Sequence, residues 1–84
     1  MSDQDVRLFA LTTCSHCKST KKLLEQLGVA YDVVDVDQTE GEEREQVVAE
    51  VKKYNPNLSF PTLVIGHKVV VGYRENEIKE ILGL

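Results

Sequence analysis

The chain has 84 residues, of which 42% are hydrophobic and 29% are charged, and its formal net charge is −4. This size and composition predict one small globular domain over residues 1–84. The acidic balance and the scattered basic residues argue against nucleic-acid binding, and no stretch reaches the ~18 apolar residues that would span a bilayer. Because the chain starts with a polar, acidic stretch and not an export signal, we expect a monomeric cytoplasmic protein.

The first half of the chain predicts a strand, a helix and a second strand. The apolar run 6–11 predicts a buried strand, which Thr12-Thr13 end, and these threonines can also cap a helix. The helical pattern begins at Cys14 and stops at Gly28. The β-rich run 31–36 predicts the second strand. Strand, helix and strand in this order indicate a right-handed βαβ unit with parallel strands.

The second half predicts a helix, a hairpin and a last helix. The helix covers about 42–54, the hairpin strands cover 62–65 and 69–71, and the last helix covers 75–82. Asp35 and Asp37 are interpreted as strand-end and helix-entry residues and not as acid or base groups, and His67 is expected to be exposed in the hairpin turn. The whole pattern predicts an α/β fold, β-α-β-α-β-β-α, with a four-stranded mixed sheet flanked by helices.

The two cysteines, Cys14 and Cys17, stand where the first strand gives way to the helix. A bridge between them closes so small a loop that it would stabilise the fold by only about 2 kcal/mol, against about 3 for a fifteen-residue loop. Reactivity is therefore a better reason for the pair. The helix N-terminus offers Cys14 unpaired N–H groups and a positive dipole end, which favour its thiolate.

This spacing predicts a redox-active disulfide between Cys14 and Cys17. Cys14 is the predicted nucleophile, and Cys17, one helical turn further on the apolar side, is the predicted resolving thiol. His16 lies in the same turn and is predicted to tune Cys14 by charge or hydrogen bonding. Three alternatives stay open from these residues alone: a zinc site with His16 and His67 as further ligands, two inert cysteines, and a His16 that is only a solvated helix residue.

Together with later motifs, these residues resemble the glutaredoxin branch of the thioredoxin-like superfamily. The resemblance rests on Cys14-Ser15-His16-Cys17 after a strand, Phe60-Pro61-Thr62 before a hairpin and Gly72 before the last helix. It implies a thioredoxin-like (glutaredoxin-type) fold, a protein-disulfide oxidoreductase that serves cell redox homeostasis, a cis bond before Pro61, and no bound cofactor. It also implies a substrate groove formed by Phe60, Pro61 and Thr62, with Gly72, Tyr73 and Arg74 on its rim.

Two departures from glutathione-dependent glutaredoxins bear on the electron donor. Leu11 stands where those proteins usually carry a lysine, and Val71-Gly72 stands where they carry two glycines. The stretch Gly72-Tyr73-Arg74 resembles the Gly-Phe-Arg of NrdH-type redoxins, which supply electrons to ribonucleotide reductase and are recharged by thioredoxin reductase. We therefore expect protein disulfides as substrates, ribonucleotide reductase among them, and glutathione or a thioredoxin-reductase-type enzyme as the electron source.

Two other functions remain open at this point. The first is an iron–sulfur or metal carrier that uses the thiolates of a dimer, although no metal site is predicted within one chain. The second is an interaction domain that keeps only the fold. The two differ in what they require, because a carrier needs both cysteines and an interaction domain needs neither.

Overall fold

The computed structural model describes residues 5–83. Over this range the elements follow the predicted order, with a short 3-10 turn added after the second strand. The strands are β1 (Val6–Ala10), β2 (Asp32–Asp35), β3 (Thr62–Ile65) and β4 (Lys68–Val71), the helices are α1 (Ser15–Gln26), α2 (Gly41–Tyr54) and α3 (Glu75–Leu82), and the 3-10 turn is Val36–Gln38.

The four strands form one mixed sheet in the order β2-β1-β3-β4. β1 pairs with β2 in parallel and with β3 in antiparallel orientation, and β3 and β4 form the antiparallel hairpin. The predicted parallel pair and the mixed sheet are confirmed. At the carboxyl end of β1, Ala10 pairs with Asp35 and Phe9 pairs with Thr62. The chain therefore leaves β1 between the end of β2 and the start of β3.

Hydrophobic side chains alternate between the two faces of β1, and each face carries its own core. Leu8 and Ala10 pack with residues of α1 and α3, whereas Phe9 packs with residues of α2. All three β1 side chains are fully buried. Burying large apolar side chains on both faces stabilises the fold by about 1.5–3 kcal/mol each, so the site that follows β1 stands on a rigid base.

The structure corrects the ends of two predicted strands. β1 ends at Ala10 instead of Leu11, and β2 ends at Asp35 instead of Val36. After β2 the backbone N–H and the hydroxyl of Thr39 both donate to the carbonyl of Val36, at 3.2 and 2.7 Å. These two bonds close a 3-10 turn, and Val36 itself becomes a buried core residue.

For α1, the predicted C-terminal end is confirmed and the predicted N-cap is wrong. Its end was predicted correctly: Gly28 has φ +70°, its N–H donates to Glu25, and the Val29 N–H donates to Leu24, which are the bonds of a Schellman motif. Its start was not. The N-cap is Cys14 and not Thr12-Thr13, since the Thr12 hydroxyl donates to the carboxylate of Asp37 instead.

Candidate active site

Cys14 is the residue that ends the loop after β1 and caps α1. Its backbone is extended (φ −91°, ψ 120°), and its N–H donates to the carbonyl of Leu11 at 3.2 Å. Its Sγ accepts the backbone N–H of Cys17 at 3.4 Å, so the sulfur satisfies one of the free N–H groups of the helix N-terminus. On the other side, the Cys14 thiol lies 4.0 Å from the carbonyl of Phe60.

These surroundings favour the thiolate of Cys14. Partial burial of the sulfur acts to raise its pKa, but hydrogen bonds from the Cys17 thiol, from the Cys17 backbone and from the His16 backbone outweigh burial. The pKa of Cys14 is therefore lowered from its ordinary value. A hydrogen bond that forms only with the charged form stabilises that form, and here all three donors belong to the first turn of α1.

The surroundings of Cys17 have the opposite effect. Its side chain is fully buried, and burial raises its pKa to about 11, with a backbone hydrogen bond from Leu11 acting against that rise and the Cys14 sulfur adding to it. When only one of the two thiols is ionised, Cys14 is therefore the thiolate and Cys17 keeps its proton. Both thiols are free in this structure, which thus represents the reduced form of the pair.

An open pocket of about 260 Å³ lies beside the pair. It is lined by His16, Phe60, Val71, Gly72, Tyr73 and Arg74, so five residues predicted from the sequence come together and Val71 joins them. Gly72 has φ +88°, and its N–H donates to the Pro61 carbonyl at 2.9 Å, which ties the rim to the floor of the pocket. The left-handed conformation suits glycine at this position.

The remaining predicted groove residues, Pro61 and Thr62, are buried and do not line this pocket. The Phe60–Pro61 peptide bond is cis, as the resemblance implied. The Thr62 hydroxyl donates to the Ser59 carbonyl at 2.8 Å and accepts from Asn55 at 3.1 Å. That side chain holds the loop together from inside, and a role for it in substrate docking stays a prediction.

Asn55 is a buried residue that sequence reasoning interpreted only as part of a helix break. Its amide nitrogen reaches the Ser59 carbonyl and hydroxyl at 3.0 Å and the Thr62 hydroxyl at 3.1 Å. The residue is only 4% exposed, and it fixes the loop that presents Phe60 to Cys14. The Asn-Pro-Asn sequence signals a turn, but nothing local in it indicates a link to Thr62.

Two carboxylates at the end of β2 also contact the segment around the cysteines. Asp35 accepts a hydrogen bond from the Lys21 ammonium of α1 at 3.1 Å. Asp37 accepts the N–H of Thr12 at 3.1 Å and its hydroxyl at 2.7 Å. Asp35 is the last residue of β2, and the 3-10 turn that follows places Asp37 against the loop before Cys14. Both contacts join parts of the chain that are distant in sequence.

His16 is exposed and contributes to the lowered pKa of Cys14 through its backbone. Tuning by its imidazole stays a prediction. His67 is exposed in the β3–β4 turn as expected. Among residues 5–83, no three His, Cys, Asp or Glu side chains are grouped so that they could hold a metal ion. No helix within the described part of the chain is long and apolar enough to cross a membrane.

Comparison with known proteins places this site in a known context. The Glutaredoxin family model matches residues 6–70. A curated glutaredoxin from Ricinus communis is 34% identical over 84 residues, which cover 99% of this chain and 79% of the relative. The match includes both cysteines and the loop that contains Pro61.

Solved structures agree with this match. The crystal structure of the glutaredoxin from Methanosarcina mazei Go1 is 51% identical with a TM-score of 0.88, covering 95% of this chain and 79% of that chain. Methanosarcina acetivorans methanoredoxin is 42% identical with a TM-score of 0.91, covering 95% of this chain and 85% of that chain. The predicted thioredoxin-like fold of glutaredoxin type is confirmed.

The resemblance to NrdH-type redoxins has a structural counterpart. The NrdH-redoxin from Escherichia coli is 21% identical with a TM-score of 0.72, covering 92% of this chain and 93% of that chain. At this identity the likeness shows the common fold. The electron donor therefore stays a prediction that rests on Leu11 and on the stretch Gly72-Tyr73-Arg74.

Proposed function

The chain belongs to the glutaredoxin family, and on that premise we propose that it reduces disulfides of other proteins with Cys14 as nucleophile and Cys17 as resolving thiol. Glutaredoxins are thiol–disulfide oxidoreductases that use a redox-active cysteine pair and no prosthetic group. The observation that carries the assignment of roles is the contrast between the two thiols. The pKa of Cys14 is lowered, whereas that of Cys17 is raised to about 11.

The first step is attack by the Cys14 thiolate on one sulfur of the substrate disulfide. The bond between the two substrate sulfurs breaks, a mixed disulfide forms with Cys14, and the released substrate thiolate takes up a proton. A lowered pKa raises the fraction of attacking thiolate at neutral pH, and it also makes Cys14 a better leaving group. Both effects favour rapid exchange in either direction.

The second step is attack by Cys17 on the sulfur of Cys14. Cys17 loses its proton, the bond between Cys14 and the substrate breaks, and the second substrate thiolate leaves and is protonated. The substrate has then gained two electrons and two protons, and the protein carries a Cys14–Cys17 disulfide. Because Cys17 is buried and protonated at neutral pH, it does not compete with Cys14 for external disulfides.

The pocket beside Cys14 is the proposed docking site for the substrate chain. Phe60, Tyr73 and Arg74 line it with two aromatic rings and a guanidinium, and the carbonyl of Phe60 lies 4.0 Å from the partly exposed Cys14 sulfur. Aromatic and arginine side chains are the groups that protein interfaces favour. A substrate segment lying there would bring its disulfide to Cys14 from the solvent side.

Reduction of insulin disulfides tests this function. We expect turnover by the parent protein, no turnover above the buffer control by Cys14→Ser, and incomplete reaction by Cys17→Ser. Serine replaces the thiol with a group of similar size that also caps helices well, so the Cys14→Ser variant keeps its fold. Equal rates for Cys14→Ser and the parent would exclude the proposed mechanism.

The electron donor, the client and the location belong to the same proposal. Electrons come from glutathione or from a thioredoxin-reductase-type enzyme, ribonucleotide reductase is the client that Gly72-Tyr73-Arg74 indicates, and the protein acts as a monomer in the cytoplasm, where protein thiols are kept reduced. Turnover with glutathione and its reductase should be compared with turnover with thioredoxin reductase and NADPH. Because Leu11 replaces the usual lysine, we expect the second system to be faster, and faster turnover with glutathione would contradict this.

A further inference from the structure

Asp37 is an exposed carboxylate whose main contacts lie with a loop 25 residues earlier in the chain. Its two oxygens each accept the backbone N–H of Thr12 at 3.1 Å, and Oδ2 also accepts the Thr12 hydroxyl at 2.7 Å. The Thr12 hydroxyl holds the pKa of Asp37 below its ordinary value, with the charge of Arg44 acting in the same direction. The carboxylate is therefore ionised at neutral pH, and its hydrogen bonds to Thr12 are charge-assisted.

The loop that Asp37 holds lies next to both reactive sulfurs. Leu11, the neighbour of Thr12, accepts the N–H of Cys14 at 3.2 Å. The backbone of Leu11 also acts to lower the pKa of Cys17. Thr12 is thus one residue from a backbone unit that bonds Cys14 and influences Cys17, and two residues from Cys14 itself.

We propose that Asp37 is a positioning residue that clamps Thr12 and thereby holds Cys14 at the N-cap of α1, where the helix N–H groups reach its sulfur. This inference rests on the proposed roles of Cys14 and Cys17. The clamp joins the 3-10 turn after β2 to the loop after β1. Leu11 packs in the same hydrophobic cluster as Val36, so apolar contacts keep the two segments close, and the bonds from Asp37 add the polar contacts that fix the backbone of Thr12.

A purely electrostatic role for Asp37 makes the opposite prediction, which makes the inference testable. A negative charge near a thiol disfavours the thiolate, so removing that charge would lower the pKa of Cys14. Loss of the clamp would instead let the Cys14 sulfur move away from the N–H groups of Cys17 and His16, and its pKa would rise. The direction of the shift therefore separates the two roles.

The experiment measures the rate of Cys14 alkylation by iodoacetamide as a function of pH in Thr12→Val and Asp37→Asn, both in a Cys17→Ser background that leaves one thiol. Thr12→Val keeps shape and charge but removes the hydroxyl donor, and Asp37→Asn keeps shape but removes the charge and one acceptor. Two controls accompany them. Glu40→Gln removes an exposed acid whose side chain makes no capping bond, and Thr12→Ser keeps the hydroxyl.

We expect the midpoint of the profile to move to higher pH in both test variants, with a rate at pH 7 about two- to threefold lower. One net hydrogen bond corresponds to about fivefold less thiolate, which the greater nucleophilicity of the more basic thiolate partly offsets. Glu40→Gln and Thr12→Ser should match the parent. A downward shift in Asp37→Asn, a shift in only one test variant, no shift in either, or an equal shift in Glu40→Gln would overturn the clamp. Because the assay needs no disulfide substrate, it remains decisive even if the protein proves inactive towards insulin.

Discussion

Cys14 and Cys17 are separated by two residues, and their surroundings differ in almost every respect. Cys14 is partly exposed at the end of a helix and accepts hydrogen bonds from that helix. Cys17 is fully buried in the core shared by the sheet and α1. Burial raises the pKa of Cys17 to about 11, whereas the donors around Cys14 lower its pKa.

The comparison shows that two cysteines one helical turn apart can differ enough in pKa to take different roles, one as nucleophile and the other as resolving thiol. The helix N-terminus supplies donors to the first thiol, and the hydrophobic face of the same helix excludes water from the second. Neither effect needs a charged side chain in contact with the sulfur. The predictions below test this division, beginning with the variants that should change it most.

Replacing each cysteine with serine should remove a different step of the reaction. Cys14→Ser removes the nucleophile and should slow reaction with dithiobisnitrobenzoate by at least about tenfold, because only the buried Cys17 is left to react. Cys17→Ser should react at the parental rate but release one nitrothiobenzoate instead of two, because nothing resolves the mixed disulfide. Stopped-flow absorbance measures both phases. Two equivalents released from Cys17→Ser would contradict the assigned roles.

The pH dependence of alkylation should sharpen the contrast. With a pKa of about 11, Cys17 is ionised in about one molecule in 10⁴ at pH 7, and its rate should keep rising until pH 11. The lowered pKa of Cys14 makes its rate level off at a lower pH than that of an ordinary thiol. Allowing for the greater intrinsic nucleophilicity of the more basic thiolate, Cys14 should react at least about tenfold faster at pH 7.

Peptide mapping by mass spectrometry after limited alkylation measures this ratio. A protein unfolded in urea serves as the control, since both cysteines should then react at similar rates. Preferential labelling of Cys17 in the folded protein would show that the pKa order is wrong.

Asn55→Ala should lower the stability of the protein without raising the pKa of Cys14. Removing the amide takes away the donor to the buried Thr62 hydroxyl and one of the two donors to the Ser59 carbonyl, which should lower the free energy of unfolding by about 1–2 kcal/mol. The donors that lower the pKa of Cys14 all lie in α1, whereas its partial burial, which raises that pKa, also involves the loop that carries Phe60. The alkylation profile should therefore not move to higher pH. Urea denaturation measures the first effect, and Asn57→Ala, at an exposed position, should change stability by less than about 0.5 kcal/mol.

Lys21→Met should give the smallest effect, confined to Cys17. Burial sets the raised pKa of Cys17, and the charge of Lys21, four residues further on α1, lowers it somewhat. Removing that charge raises the pKa further, so the resolving step at pH 7 should slow by about two- to fivefold, the scale of a partly exposed charge. The second phase of nitrothiobenzoate release measures it, and the exposed neighbour Lys22→Met is the control. Equal slowing in both variants would argue against a specific role.

Local sequence patterns predicted the regular elements well. Residues 62–65 and 75–82 form β3 and α3 with the predicted bounds, because alternation, glycines and a helical apolar stripe all act over a few residues. Gly28 ends α1 as predicted for the same reason. The parallel pair followed from the order of elements, since strand–helix–strand units of this length close in one way.

Contacts that join distant segments could not be predicted in this way. Thr12 has a side chain suited to capping a helix, but it donates to Asp37, which leaves the cap to Cys14. The 3-10 turn at Val36 arises from Thr39, and Asn55 reaches Thr62 across a loop. Each of these depends on where the fold brings two polar groups together, and hydrophobic periodicity carries no information about that.

The position of Cys14 at the N-cap has a consequence for motion as well as for chemistry. A sulfur engaged in a disulfide carries no negative charge and accepts hydrogen bonds more weakly than a thiolate does. The start of α1 therefore loses its best acceptor whenever the pair is oxidised and regains it on reduction. We expect the Cys17 amide to exchange with deuterium faster in the oxidised protein. A partner that contacts the start of α1 would then meet a frayed helical turn in the oxidised protein and an ordered one in the reduced protein.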